Sequence, residues 1–510
     1  MEQKNLKTSV FSTNTVFCES AEQPIDIDFT LPDYYADISK ILKCRAISRI
    51  SSKNLSGNHI SVEGCITVTV IYCGSDNYVS SYEYQYPFSK SFDTGINTQG
   101  CFLNVKTKCE YINCRAITGR KIDIHGAAGI YVTLTNRSLV DVISDCDDCN
   151  VELLRKNVPA TIPIETAEKY LLIEEEIELG SGQPDIRCLI RYDADATITD
   201  NKIMAGKSVV KGELLVKMLY APENDGALQT VRWNLPFSQF IELDGITEEC
   251  DCESSVCVAH LEIKPRALAS GECRRLMLTA KLLITSKCCC NNDVAVILDA
   301  YSRKYEANIC KSEVAFDKIV ENINNSFSCK KSFEFFEGEI ASISDMWCEA
   351  RTDSVKFVDD MFKICGTVTA FIIAQNDDME PNFYEKAIEF EYAYPMKTDG
   401  DFKCLPEITV TTANYTLMGE RSVEIRVDLN VCATVYKSSS IPIITDINVN
   451  NTKPIMDQKN GAMTLYFATV GEKTWDIARK YIANLEELKQ INEITDDILK
   501  EDKMLLIPNN

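Results

Sequence analysis

Three stretches of this chain alternate apolar and polar residues in one shared register. Val62-Glu-Gly64-Cys-Ile-Thr-Val-Thr-Val-Ile-Tyr72, Val210-Lys-Gly212-Glu-Leu-Leu-Val-Lys-Met-Leu-Tyr220 and Ile364-Cys-Gly366-Thr-Val-Thr-Ala-Phe-Ile-Ile-Ala374 align on their glycines. Even offsets from each glycine carry Ile66, Val68, Val70 and Tyr72, then Leu214, Val216, Met218 and Tyr220, then Val368, Ala370, Ile372 and Ala374. Side chains on a strand alternate between faces, so each stretch is a strand with one apolar face turned inward. A second alternating set follows Arg120, Arg274 and Arg421: Ile122 and Ile124, Leu276 to Leu282, and Val423 to Val431. Gly119, Gly271 and Gly419 stand just before it and are expected to supply turns.

The glycines lie 212 − 64 = 148 and 366 − 212 = 154 residues apart. Asp37-Ile38 and Asp185-Ile186 stand at equal distances before their strand glycines, with Asp345-Met346 as the candidate third pair. Pro87-Phe88-Ser89 and Pro236-Phe237-Ser238 follow, with Pro395-Met396 as the candidate third. Spacing of this size fits independent domains rather than a solenoid whose repeats lean on their neighbours. Strands with one apolar face must bury it on a second layer. The chain is therefore expected to be mainly β, with three tandem antiparallel β-sandwich-like domains over residues 1–153, 154–305 and 306–450, the last divergent. A linker is expected over 451–462 and a small domain over 463–510.

That last segment changes pattern. Leu465 to Val470 reads as a strand, Trp475-Asp-Ile-Ala478 opens a helix, and Asn484 with Glu487 resembles a capping box before a second helix. Met504-Leu-Leu-Ile-Pro508 closes a βααβ order.

Composition narrows the function. The 510 residues are 45% hydrophobic, which excludes long disorder, and 53 basic against 76 acidic residues give a net charge of −23. That charge repels nucleic-acid phosphates and anionic membranes. No window reaches the roughly 18 apolar residues of a spanning helix, and the start carries no apolar signal core. The chain is expected to stay in the cytoplasm, with its 23 cysteines mostly reduced thiols. Cys146-Asp-Asp-Cys149 lacks a second Cys-x-x-Cys, and Cys250, Cys252 and Cys257 with Cys288, Cys289 and Cys290 form no zinc spacing, so no metal and no cofactor are expected. Only His59, His125 and His260 could serve as an imidazole base, each in or beside a strand. Ala205-Gly206-Lys207-Ser208 resembles the end of a phosphate loop, but Asn201 stands where that motif needs glycine and a strand follows instead of a helix. Nothing converges on a reaction, and no enzyme activity is expected.

The Asp-Ile pair, the Val-x-Gly strand ending in Tyr, the Pro-Phe-Ser and the Gly-Arg strand together resemble the SPOCS domain of bacterial spore coat proteins. Trp475-Asp-Ile-Ala478, Asn492 and Ile507-Pro508 resemble the LysM domain. This order is similar to SipL-type coat proteins, a resemblance that implies a scaffold in the mother-cell cytoplasm at the forespore surface. There the LysM domain holds the coat's basement-layer morphogenetic ATPase (SpoIVA-like), and other coat proteins join. The alternative is a LysM domain that binds peptidoglycan. Glycan-binding LysM loops carry Gly-Asp-Thr, whereas this chain has Gly471-Glu472-Lys473, and its Ile498 to Lys503 stretch lacks a glycine. The resemblance implies partner contacts at Glu472, Lys473, Thr474, Lys500, Glu501 and Asp502. Trp475 and Ile477 are expected either in the core or at the partner.

Overall fold

The computed structural model describes residues 5–148, 150–223, 227–266, 273–335, 340–376, 380–419, 421–455 and 463–508. Gly271, Cys149 and the linker stretch 456–462 lie outside the described residues. The first unit runs β1 (Asn5–Thr30), β2 (Ile38–Ser56), β3 (His59–Gly74), β4 (Val79–Asp93), β5 (Cys101–Ala116) and β6 (Lys121–Cys146). The second runs β7 (Val151–Glu178), β8 (Ile186–Met204), β9 (Lys207–Pro222), β10 (Gln229–Glu242), β11 (Asp251–Arg266) and β12 (Arg275–Ser302). The third runs β13 (Tyr305–Glu334), β14 (Ser342–Val358), β15 (Met361–Gln375), β16 (Pro381–Pro395), β17 (Asp401–Cys404), β18 (Glu407–Leu417) and β19 (Ser422–Pro454). A small unit follows: β20 (Met463–Ala468), α1 (Thr474–Tyr481), α2 (Leu485–Ile491) and β21 (Lys503–Pro508).

Each large unit is a pair of antiparallel sheets, as the alternation predicts. In the first, sheet β1-β6-β5 faces sheet β2-β3-β4 across one core. In the second, β7-β12-β11 faces β8-β9-β10. In the third, β19 with β13, β17 and β18 faces β14-β15-β16. The two strands read in each repeat are the central strands of its two sheets. Ile66, Val68, Val70 and Tyr72 are buried against Ile122 and Ile124, and Tyr220 occupies in the second core the place of Tyr72 in the first. Burial of each such large apolar side chain stabilises the fold by about 1.5–3 kcal/mol.

The repeated glycine has a steric cause. Gly64 pairs with Phe88, Gly212 with Phe237 and Gly366 with Phe390 on the neighbouring strand. A Cβ at any of the three would collide with that ring and with the carbonyl oxygen of Arg49, Thr197 or Arg351 on the other side. Glycine leaves the space in which the aromatic ring lies over the backbone. This pairing also corrects the third copy, because Phe390, not Pro395-Met396, is the counterpart of Phe88 and Phe237. Likewise Ile340, buried and 366 − 340 = 26 residues before its glycine, matches Ile38 and Ile186, where Asp345-Met346 was expected. Asp345 instead faces a neighbouring unit.

Two landmarks far apart in sequence are one clamp. Arg120 donates to the Asp37 carboxylate at 2.7 Å and to the Pro32 carbonyl at 2.7 Å. Arg274 repeats this with Asp185 at 2.8 Å and the carbonyls of Gln183 and Gly180 at 2.7 Å. The main chain just before the central strand bonds the strand opposite in all three units, from Leu31 to Arg120, Leu179 to Arg274 and Phe335 to Arg421. Of the expected turn glycines, Gly419 has φ 89°, and the bond that Gly119 accepts from Ile38 is accepted from Ile186 by Cys273. Gly206, in the fragment that resembled a phosphate loop, is the φ 76° turn between β8 and β9, and Ser208 donates to Asn201.

The three units join into one body. Leu42 and Ile71 from the first, Ile190, Leu219 and Ala221 from the second, and Trp347, Phe371 and Ile373 from the third form a shared core. Val142, Val296 and Ile443, equivalent positions on the long strands β6, β12 and β19, lie in a second shared core. Beside the first, Arg191 donates to Asp345 at 2.6 Å, lies 4.4 Å from the Trp347 ring and also pairs with Asp193, which holds Arg45. Arg191 and Asp345 are equivalent in the repeat, each pairing with the residue seven after its strand glycine, but carry opposite charges. Four cysteines depart from the expected reduced state: Cys250 is bonded to Cys290 and Cys252 to Cys288.

Candidate interaction surface

The small unit is built on a two-stranded sheet in which Leu465 pairs with Leu506 and Phe467 with Met504. Ala468, Leu505 and Ile507 face inward and pack on Ile477, Ala478 and Leu488 from the helices. Helix α1 ends where Ile482 takes the left-handed conformation, φ 56°. Helix α2 starts because Asn484 accepts a hydrogen bond from the Glu487 main chain at 2.9 Å, as its sequence indicated. Asn492 is buried and fully used: it donates to the carbonyls of Leu488 and Leu506 and accepts from the Leu506 N–H.

The two loops named from the sequence lie side by side. Gly471 donates to Leu499, Leu499 to Glu472 and Thr474 to Asp497, a main-chain zipper at 2.8–3.0 Å. Within it the six residues have unlike surroundings. Lys473, Lys500 and Glu501 are exposed, and Lys500 pairs with Asp496 at 2.8 Å. Glu472 is half-buried and accepts from the Tyr466 hydroxyl at 3.2 Å. Asp502 accepts from the Val470 N–H at 2.7 Å and so fixes the first loop. Thr474 is 1% exposed, with its hydroxyl donated to the Asp497 carbonyl. Its expected role as a surface contact gives way to a structural one, because its side chain is spent on joining the loops.

Ile477 lies in the core, and Trp475 reaches beyond it. The Trp475 indole N–H donates to Asp299 of β12 at 3.0 Å, and its ring packs 5.0 Å from that of Tyr301. Asp299 also accepts from Arg479 at 2.7 Å and from Lys311 at 2.9 Å. Burial pushes the Asp299 carboxyl upward, but the hydrogen bonds from Lys311 and Trp475 and the charges of Arg479 and Lys311 outweigh it and hold the group below the usual carboxylate range. Tyr301 donates to the Ala483 carbonyl at 2.7 Å, and Asn484 donates to Glu152 at 3.0 Å. The small unit is thus seated on the ends of β7 and β12.

Sequence reasoning missed the other face of the sheet. Met463, Leu465, Phe467, Met504 and Leu506 point outward, with Leu465 62% and Phe467 67% exposed, and Val470 and Ile498 beside the loops are exposed as well. The signal was present: Leu465-Tyr-Phe-Ala and Met504-Leu-Leu-Ile are apolar at odd and even positions alike. In a unit with helices on one side only, one of those faces must meet solvent or a partner. A contiguous apolar patch of this kind is characteristic of a protein-binding surface.

Among the described residues, no group of three or more His, Cys, Asp or Glu side chains is arranged to hold a metal ion, and no helix is long and apolar enough to cross a membrane. Residues 37–117 and 185–265 each match the family model described as SipL, SPOCS domain. Both matches open at the aspartate of the Arg-Asp clamp and extend through the glycine strand and its phenylalanine partner into the fifth strand of their unit. No curated protein and no solved structure matches the chain.

Proposed function

We propose that this chain is a non-catalytic scaffold of spore-coat assembly. The two SPOCS-domain matches support a place among sporulation coat proteins. In this reading the small unit is a LysM-like domain that holds the coat's basement-layer ATPase, while the β body presents other coat proteins around the forespore from the mother-cell cytoplasm. The chain binds no nucleotide and catalyses no reaction; any ATP use belongs to the partner.

The observation that carries the reading is the apolar face of β20 and β21 beside the zipped loops, on a unit whose opposite side is anchored to the body. Apolar anchors at an interface centre dominate affinity, while rim charges such as Lys473 and Lys500 steer association. Phe467→Glu in the full chain is expected to weaken binding of the purified coat ATPase by about 30-fold or more, the loss typical of an aromatic hot spot of at least about 2 kcal/mol. Lys473→Glu with Lys500→Glu is expected to slow association and to change its salt dependence. The competing reading is a peptidoglycan-binding LysM domain. Retention of the chain on peptidoglycan, with ATPase binding untouched by Phe467→Glu, would establish it and overturn the scaffold assignment.

A further inference from the structure

Five cysteines meet on the neighbouring strands β11 and β12 and the turn before them. Cys252 lies directly opposite Cys288 and Asp251 opposite Cys289, which sets Cys250 against Cys290 on the next rung. Residues two apart on a strand share a face, so Cys250, Cys252, Cys288 and Cys290 form a square on the side turned to the second unit's core. The structure bonds them across the strands, with Cα separations of 4.7 Å for Cys250–Cys290 and 4.1 Å for Cys252–Cys288. Cys289, between Cys288 and Cys290, is a free thiol.

Each pair has one deep and one reachable member. Cys250 and Cys288 are buried, whereas Cys252 and Cys290 are only partly covered. The Thr247 N–H donates to the Cys250 sulfur at 3.5 Å. Cys289 lies on the opposite face, where burial first and then the charges of Asp251 and Glu253 push its thiol up to about 11, so it stays protonated and does not compete.

We propose that this square is an oxidation site that takes a small-molecule disulfide as its co-substrate and closes two parallel staples between β11 and β12. The thiolate of Cys290 or Cys252 attacks one sulfur of the incoming disulfide, forming a mixed disulfide and releasing one thiolate. The buried partner, Cys250 or Cys288, then attacks the protein sulfur of that mixed disulfide and releases the second thiolate. Two protein thiols are oxidised, one small-molecule disulfide is reduced to two thiols, and the two protein protons end on the released thiolates. Strand β12 continues from this square to Asp299 and Tyr301, the seat of the small unit, so the staples fix the sheet that carries the interaction surface. This holds whether or not the scaffold reading does.

The test uses the full chain, fully reduced and then exposed to oxidised glutathione. Peptide mapping is expected to recover Cys250–Cys290 and Cys252–Cys288, each linked pair about 2 Da lighter than its reduced form, while the exposed thiols of Cys18, Cys257, Cys310 and Cys432 carry at most glutathione adducts. Cys252→Ser is expected to lose the Cys252–Cys288 link and to keep Cys250–Cys290 in the same map. The oxidised wild type is expected to melt higher than the reduced protein, a difference absent when all four cysteines are serine. Stable glutathione adducts on Cys250, Cys252, Cys288 or Cys290 without closure, crosslinks through Cys289, or these four thiols shielded by a bound zinc ion instead of oxidised would each overturn the proposal. Should the fourfold variant fail to fold, the mass and mapping results on the wild type decide the matter alone.

Discussion

Asp299→Ala tests how the small unit is held. The substitution removes one acceptor shared by the Trp475 indole, Arg479 and Lys311. Arg479 and Lys311 side chains are 52% and 40% exposed, so each ion pair is screened and contributes less than about 1 kcal/mol. The buried indole N–H left without a partner costs about 1–3 kcal/mol. Together the loss is about 2–4 kcal/mol, or about 30- to 1,000-fold in the docking equilibrium. Asp299→Asn keeps an acceptor for the indole and loses less. The wild-type Asp299 carboxyl is held below its ordinary range, so its contribution is complete above the unfolded value of about 4 and is lost as pH falls through the folded value. Hydrogen exchange followed by mass spectrometry on the full chain reads this directly. Peptides over 475–484 and around Tyr301 are expected to lose protection in Asp299→Ala, while the second unit's core strand from Leu276 to Ile284 is unchanged. Equal protection of α1 in wild type and Asp299→Ala at neutral pH would refute the reasoning.

Three further outcomes follow from the body. Gly212→Ala is expected to lower the thermal midpoint by the equivalent of about 1–3 kcal/mol, and Phe237→Ala is not expected to rescue it, because the collision with the Thr197 carbonyl remains. Arg191→Ala leaves the buried Asp345 carboxylate uncompensated and is expected to cost about 3–5 kcal/mol in chemical denaturation, whereas Arg191→Met with Asp345→Leu is expected to recover most of that loss. His125 is raised above its ordinary value by its hydrogen bond to Asp26 and then by the Asp123 charge; its stabilising contribution is therefore complete below about pH 6.5 and lost as pH rises through the folded value. An NMR titration is expected to show this raised midpoint, and His125→Gln is expected to remove that part of the pH dependence of melting.

The alternation of Ile66 to Tyr72 and of Val423 to Val431 determined the β class and the repeat without any tertiary knowledge, because central strands bury a whole face and stamp it on the sequence. The helix start at Asn484 was legible for a similar reason, since capping is a contact between residues three apart. The third repeat's true landmarks, Ile340 and Phe390, were not, because strand pairing and not motif spelling defines them. The candidate site divided in the same way. The sequence placed the loops at Lys473 and Lys500 at the surface, but Thr474 is spent inside and the apolar sheet face emerged only once the helices were seen to cover one side. The seat at Asp299 joins residues 176 and 180 positions apart, and the ion pair of Arg191 with Asp345 spans 154. A periodic pattern records whether a side chain is buried; which partner buries it is fixed only when distant strands meet.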